Sequence, residues 1–442
     1  MKANLVIIGG GPAGIEAALT YRTLNPAAKI VLIRDSKKQL IPCAIPYIFT
    51  RIPLEKNIIG DEVFERNSIE LIVDKAVDID RFGRKVILEG HGEVKYEYLV
   101  LATGSKPSKL DAKGEELDEV FYVKENYDRM VKLKEKVNEA SSIVIVGGGL
   151  AGVEIANELV EAGYKVTIVE SLKHILMLNF DEDFAIKVER YLKDKGVEIV
   201  TNASIASFEG NGKLERVTLS NGERIEADIA IITTGIVANV ELAEKSGLQT
   251  THYGVKVDPF MLTNDPRIYA VGDCAEKRDF VTKKPAKYML ASIATMEARV
   301  AAVNIAKGNV VKIEGIVPKY VSKIGDIVIG AAGLTEAQAE EHKLNYTALS
   351  MKVKDKYPPG ISETHDLEVK LLFLKGKRYL IGGQVFGYTD YVGSLVNTIG
   401  SLIENYVIAE DIIASAKAAH PQITPSPIME PLENIALNVL KQ

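Results

Sequence analysis

Two glycine-rich sextets, Gly9-Gly10-Gly11-Pro12-Ala13-Gly14 and Gly147-Gly148-Gly149-Leu150-Ala151-Gly152, each follow a β-branched run and open a helical pattern. In this setting the glycines have separate tasks. Gly9 and Gly147 make the tight turn, Gly11 and Gly149 let a pyrophosphate reach the backbone, and Gly14 and Gly152 let helix approach strand. The anion then rests on a helix N-terminus. Two such loops predict two dinucleotides held at once, and two dinucleotides facing each other suggest electron transfer. Glu170 follows the second loop at the spacing where an acid accepts the two hydroxyls of an adenosine ribose. A carboxylate there repels a ribose phosphate, so NADH is expected over NADPH unless Lys173 or His174 offsets it. The chain has two cysteines, Cys43 and Cys274, far apart in sequence. They form no disulfide framework and no metal-ligand spacing, so no metal is expected. Cys43 stands between Pro42 and Pro46; without further context, a lone cysteine is a small buried hydrophobe.

These groups need elements to hold them. The first loop opens a βαβ unit: a strand from Leu5 to Ile8, a helix from about Gly11 to Leu24, a turn at Asn25-Pro26 and a second strand from Lys29 to Ile33. Tyr98 to Leu101 is a short buried-strand run closed by Ala102-Thr103-Gly104-Ser105. The second loop, after Ile143 to Val146, repeats the scheme with a helix break at Gly163 and a strand from Lys165 to Glu170. Ala227 to Thr233 is stopped by Thr234-Gly235, and Ile268 to Val271 by Gly272-Asp273. Strands closed in this way put backbone and Asp at the carboxyl ends of a sheet, where open α/β folds bind ligands. From about residue 317 the pattern changes. Val369 to Leu374 and Tyr379 to Gln384 flank Lys375-Gly376-Lys377-Arg378 as a β-hairpin, and Val392 to Tyr406 reads as a helix. This predicts an antiparallel α+β domain rather than a third nucleotide fold.

At 442 residues the chain exceeds one core and suggests two or three domains. Hydrophobic content of 47% with 26% charged residues is that of an ordinary globular protein. A net charge of -6 without a long basic block argues against nucleic acid as a partner. Apolar stretches are broken by Glu16, Glu154 and Asp326 well short of a membrane span, and Leu5 to Gly14 is needed by the fold rather than as a leader. A cytoplasmic protein with no membrane partner is expected.

The order of motifs is specific: the first loop, Ala102-Thr103-Gly104-Ser105-Lys106-Pro107, the second loop with Glu154, Thr234-Gly235-Ile236-Val237-Ala238-Asn239, then Ala270-Val271-Gly272-Asp273-Cys274. It resembles the FAD-dependent pyridine nucleotide-disulfide oxidoreductases through essentially the whole chain. Pro42-Cys43-Ala44-Ile45-Pro46-Tyr47 is similar to the single-cysteine branch that includes NADH oxidases, NADH peroxidases and coenzyme A disulfide reductases. The resemblance implies two Rossmann-like domains and a C-terminal α+β dimerisation domain that builds a homodimer. FAD would lie on residues 1–112 and 243–316, with Gly272 and Asp273 closing over its ribityl and phosphate portion. NADH would lie on 113–242, and 317–442 would form the dimerisation domain. It also places Cys43 beneath the isoalloxazine as the redox sulfur, with Cys274 as packing in the flavin turn. Ala44, Ile45, Pro46 and Tyr47 leave no second thiol nearby, so the oxidised form of Cys43 is a sulfenic acid or a mixed disulfide.

Several positions depart from the family pattern. Gly11-Pro12 stands where oxidase and peroxidase members carry a histidine. Of the first-helix arginines that serve coenzyme A phosphates in the disulfide reductases, only Arg22 remains, beside Thr20 and Thr23. Paired tyrosines near the substrate are not evident in His420-Pro421-Gln422-Ile423-Thr424-Pro425, and Leu150-Ala151 replaces the tyrosine that shields the flavin. The first unit ends its second strand in Ile33-Arg34-Asp35, which shifts the ribose acid to Asp35. His420-Pro421 is similar to the pair by which two-cysteine members deliver a proton donor from the partner subunit, yet no carboxylate follows it. His420 is thus a candidate acid, with a surface or capping role as the alternative. Three acceptors fit: a small disulfide or persulfide reduced through Cys43, dioxygen as in an NADH oxidase, or a redox protein such as rubredoxin.

Overall fold

The computed structural model describes residues 1–123 and 126–442. Its first sheet has a parallel core ordered Glu70–Val73, Ile30–Arg34, Lys2–Ile8, Glu93–Leu101, with Ile268–Ala270 pairing on the last of these. Chain from beyond residue 260 thus completes the sheet that residue 2 begins. The strand expected from Tyr98 to Leu101 runs over nine residues, Glu93–Leu101. Its second half is buried on both faces, while its first half pairs antiparallel with Lys85–Leu88 and alternates between exposed and buried. That alternation marks a one-sided sheet edge, and a search for continuous apolar runs passes over it.

A second parallel sheet is ordered Val120–Tyr122, Ile229–Ile232, Ser142–Val146, Lys165–Val169, Glu198–Val200. The two nucleotide units are joined where Ser105–Pro107 pairs antiparallel with Ile236–Ala238. The third sheet is antiparallel, ordered Lys319–Ile324, Ile327–Gly333, Leu380–Gly387, Asp366–Leu374, Tyr346–Lys354. Its hairpin turns through residues 375–379, and the Tyr391–Glu404 helix lays Val392, Leu395, Val396, Ile399 and Ile403 on the sheet at helical spacing. Among the described residues no helix is long and apolar enough to cross a membrane.

Residues 42–49, whose spacing shows no helical periodicity, form a 3-10 helix, Pro42–Phe49. Pro42 presets the first turn, and Pro46 withholds the N–H that a continuous α-helix would need.

Candidate active site

The first glycine loop is closed by direct backbone contact. A Cβ on Gly9 would fall 1.9 Å from the Ala102 carbonyl oxygen, and one on Gly14 would fall 2.0 Å from the Gly9 oxygen. The second loop repeats this with Gly152 2.1 Å from the Gly147 oxygen. Gly11 and Gly149 differ: each is a helix N-cap, and a Cβ there would meet nothing within 4 Å. The open space lies at the starts of Pro12–Leu24 and Leu150–Glu161, neither of which has an acid in its first turn. Unneutralised helix N-termini facing bare backbone fit a pyrophosphate at both places.

Thr103 and Gly104 meet the second unit. The Thr103 hydroxyl donates to the Asn239 carbonyl at 2.7 Å, and the Asn239 backbone N–H donates to the Gly104 carbonyl at 2.9 Å. Gly235 lies in the antiparallel link, its carbonyl accepting the Ser108 N–H at 3.0 Å. The Ser105 hydroxyl donates to Asp273 at 2.8 Å, which brings the Gly272-Asp273 turn against the same crossing.

That turn has a support absent from the sequence reading. Gly272 N–H donates to buried Glu297 at 2.8 Å, and the ammonium of buried Lys277 lies 3.4 Å from Glu297 while donating to the Gly272 and Ala275 carbonyls. Burial pushes the Glu297 carboxyl up. A cavity of about 570 Å³ lies behind this pair, lined by Lys256, Thr263 and Ile316 among others, on residues outside both glycine loops. Cys274 is fully buried with Sγ 3.3 Å from the Val271 carbonyl, and burial pushes its thiol up, as suits a packing residue.

Glu170 is held at the mouth of the second loop: Gly148 N–H donates to one of its oxygens at 2.7 Å and Leu172 N–H to the other at 2.8 Å. Its neighbouring basic side chains are engaged elsewhere. Lys173 pairs with Glu182 at 2.6 Å, and His174 Nδ1 lies 2.9 Å from Glu189. In the first unit Asp35 is exposed and the preceding Arg34 is buried. Arg22 points away from any ligand role: its guanidinium donates to the carbonyls of Pro26, Asn67 and Ser68 at 2.6 to 2.8 Å.

Cys43 is exposed on the Pro42–Phe49 helix, which packs on Leu150–Glu161, the helix that starts at the second loop. Glu154 of that helix is mostly enclosed and accepts from the Ser322 hydroxyl at 2.6 Å; burial pushes its carboxyl up. One turn on, Glu158 is buried and holds Arg51 at 2.7 Å and the Thr50 hydroxyl. Sequence reasoning missed Glu158, Arg51, Lys277 and Glu297, because only the fold brings each pair together. A charged residue inside an apolar helical stripe was the available signal for Glu158 and Glu297. His420 is exposed in a turn of the C-terminal domain, where its Nδ1 accepts from the Gln422 N–H at 3.3 Å. That leaves Nε2 to carry the proton of the neutral ring.

Residues 3–298 match the family described as pyridine nucleotide-disulphide oxidoreductase, and residues 321–428 match its dimerisation domain. A relative called NADH oxidase from Methanocaldococcus jannaschii is 32% identical over 99% of this chain and 98% of its own length. A CoA-dependent NAD(P)H sulfur oxidoreductase from Pyrococcus abyssi is 30% identical over 100% of this chain and 99% of its own. The solved structure of a NAD-dependent persulfide reductase from A. fulgidus superposes with a TM-score of 0.93 at 28% identity, covering 100% of this chain and 83% of that one. With its paired glycine loops, crossing link and antiparallel third sheet, this chain belongs to the pyridine nucleotide-disulphide oxidoreductases, FAD- and NAD(H)-dependent flavoproteins that carry a C-terminal dimerisation domain.

Proposed function

We propose that this protein passes electrons from NADH through FAD and Cys43 to a small disulfide or persulfide. The observation that carries the reading is the place of Cys43, exposed on a short helix that packs against the helix of the second glycine loop. FAD, when bound, supplies the two-electron relay between nicotinamide and sulfur. FAD belongs to 1–112 and 243–316, held at Gly9, Gly11, Gly14, Thr103, Gly104, Gly272 and Asp273, with Asp35 available to the adenosine ribose. NADH belongs to 113–242, held at Gly147, Gly149, Gly152, Glu154, Glu170 and Gly235.

The Cys43 thiolate attacks one sulfur of the acceptor; the acceptor S–S bond breaks, one thiolate leaves, and the other half stays on Cys43 as a mixed disulfide. Two electrons from NADH then split that bond and return Cys43 to thiolate, releasing the second thiolate. Protons for the leaving thiolates would come from His420, reaching across a homodimer built through 317–442. A reducing cytoplasm would keep Cys43 in its working thiol form between turnovers.

The backbone-bound carboxylate of Glu170, with Lys173 and His174 paired to other acids, supports NADH over NADPH. The engagement of Arg22 by three carbonyls leaves the first helix without a phosphate clamp of the coenzyme A kind. Dioxygen is the second reading, favoured by full-length similarity to the M. jannaschii relative called NADH oxidase. Cys43→Ser tests both. The first reading expects NADH still to bleach the flavin of this variant while polysulfide and disulfide reduction are lost. Retention of all acceptor activities would remove Cys43 from the mechanism and bring a protein acceptor forward.

A further inference from the structure

The Pro42–Phe49 helix is poorly able to hold itself rigid. It is eight residues of 3-10 geometry, which rarely runs beyond three or four, and Pro46 removes a donor from its middle. Its anchor lies just past its end. Arg51 Nε donates to both oxygens of Glu158, at 2.7 and 2.8 Å, Arg51 Nη2 reaches Glu161 at 3.2 Å, and the Thr50 hydroxyl donates to Glu158. Glu158 is 3% exposed, whereas the Arg51 side chain is 52% exposed. The buried charge is therefore the fixed end of the clamp and the arginine the adjustable end.

The clamp reaches Cys43 through backbone. Arg51 N–H and Ile52 N–H both donate to the Tyr47 carbonyl, at 2.9 and 3.1 Å, so the anchored segment grips the last turn of the helix that begins beside Cys43. Tyr47 is the common neighbour: burial, then the charges of Glu154 and Glu158, push its phenol up, with Arg51 opposing and Cys43 adding to the rise. At its other end, Glu158 sits on the helix whose N-cap is Gly149. We propose that Glu158, acting through Arg51 and Thr50, is the positioning residue that seats Cys43 against the second nucleotide unit. This rests on the reading of Cys43 as the redox sulfur.

Among the described residues, the charged and titratable groups around the Cys43 helix include Tyr47 on it, Arg51 after it, Glu154, Glu158 and Glu161 on the packed helix, and Tyr127 with Lys38 stacked on its ring at 4.0 Å. Loss of the Arg51 cation leaves Glu158 uncompensated on the helix packed against the sulfur's own, while loss of the Glu158 anion leaves Arg51 opposed by the more exposed Glu161 alone. The two changes therefore act on the thiol in opposite directions, which a merely structural contact would not do.

The experiment measures iodoacetamide alkylation of Cys43 in the NADH-reduced holoenzyme across pH, alongside NADH-driven reduction of inorganic polysulfide. Arg51→Ala should raise the apparent thiol pKa and Glu158→Gln should lower it, each by about half a unit or more. Both should lower kcat for polysulfide about tenfold, with KM for NADH within about twofold of the parent, because a displaced sulfur costs rate rather than nucleotide binding. Arg51→Lys should restore the thiol pKa yet leave kcat low, since an ammonium lacks the two-toothed fork. Shifts in the same direction, or a parent-like kcat in Arg51→Ala, would overturn the proposal. If Glu158→Gln fails to retain FAD, Arg51→Ala and Arg51→Lys decide between the outcomes. Polysulfide reduction by Cys43→Ser would instead defeat the functional reading, and alkylation of the native thiol would still report on the clamp.

Discussion

Arg34 and Glu170 occupy the same register in two copies of one unit. The carbonyl before each, of Ile33 and of Val169, accepts the N–H of the first loop glycine, Gly9 or Gly147, at 2.8 Å. Each side chain then lies over the second loop glycine: a Cβ on Gly10 would meet Arg34 Cδ at 2.8 Å, and one on Gly148 would meet Glu170 Oε2 at 3.2 Å. The same backbone thus presents opposite charges. Arg34 turns its guanidinium to Asp61 at 2.9 Å and to the Ser36 and Lys37 carbonyls, so it braces the turn after its strand. Glu170 keeps its carboxylate at the loop.

Glu170→Gln should therefore narrow the preference for NADH. The neutral amide can still accept one backbone N–H but no longer repels a ribose phosphate, nor does it accept a charge-assisted bond from the ribose hydroxyls. The ratio of kcat/KM for NADH over NADPH, read from flavin bleaching, should fall about tenfold or more, the worth of one hydrogen bond to a charged group. An unchanged ratio would show that the carboxylate does not touch the ribose.

How much was legible in the chain follows the range of the interactions. The glycine loops, Glu170 and the hairpin at residues 375–379 are local, set by turn chemistry and by strand or helix periodicity over a few residues, and they stand in the structure close to where the sequence put them. The helix at Cys43 escaped because it is short 3-10 geometry with Pro46 inside it, which leaves no helical periodicity to read, though Pro42 starts it. The clamp of Arg51 on Glu158 and the support of Gly272 by Glu297 join residues far apart in the chain. Nothing in the spacing of either pair announces it. The register shared by Arg34 and Glu170 was half legible: the repeat was visible, but that Arg34 rather than Asp35 aligns with Glu170 needed the strand pairing.

Glu154 gives the stability a pH dependence of known sign. Burial holds its carboxyl above the ordinary value of 4.5, with the Ser322 hydroxyl opposing and Glu158 adding to the rise. An acid whose folded pKa lies above its unfolded one binds more protons when folded. Its contribution is full below the unfolded value and is lost as pH rises through the folded one. In Glu154→Gln that loss is absent. The melting temperature of the Gln variant minus that of the parent should therefore grow more positive as pH is raised from about 4.5. A difference constant across pH would mean that Glu154 titrates alike in both states.

The last prediction concerns assembly. Ile423 and Ile428, in the segment after His420, are 61% and 83% exposed in the single chain. Two large apolar side chains left in water beside a candidate acid, within or next to a region that matches a dimerisation domain, fit a face covered by a second copy. Ile428→Asp places a charge where that face would close, so light scattering should show the parent as a dimer and the variant shifted toward monomer. If His420 serves across the dimer, monomeric Ile428→Asp should lose polysulfide reduction while NADH still bleaches its flavin, and His420→Gln should lose it while remaining dimeric. Full polysulfide activity in a stable monomer would remove His420 from the chemistry. The protons would then have to reach the departing thiolates from within one chain, with enclosed Glu154 and Tyr47 as groups to examine.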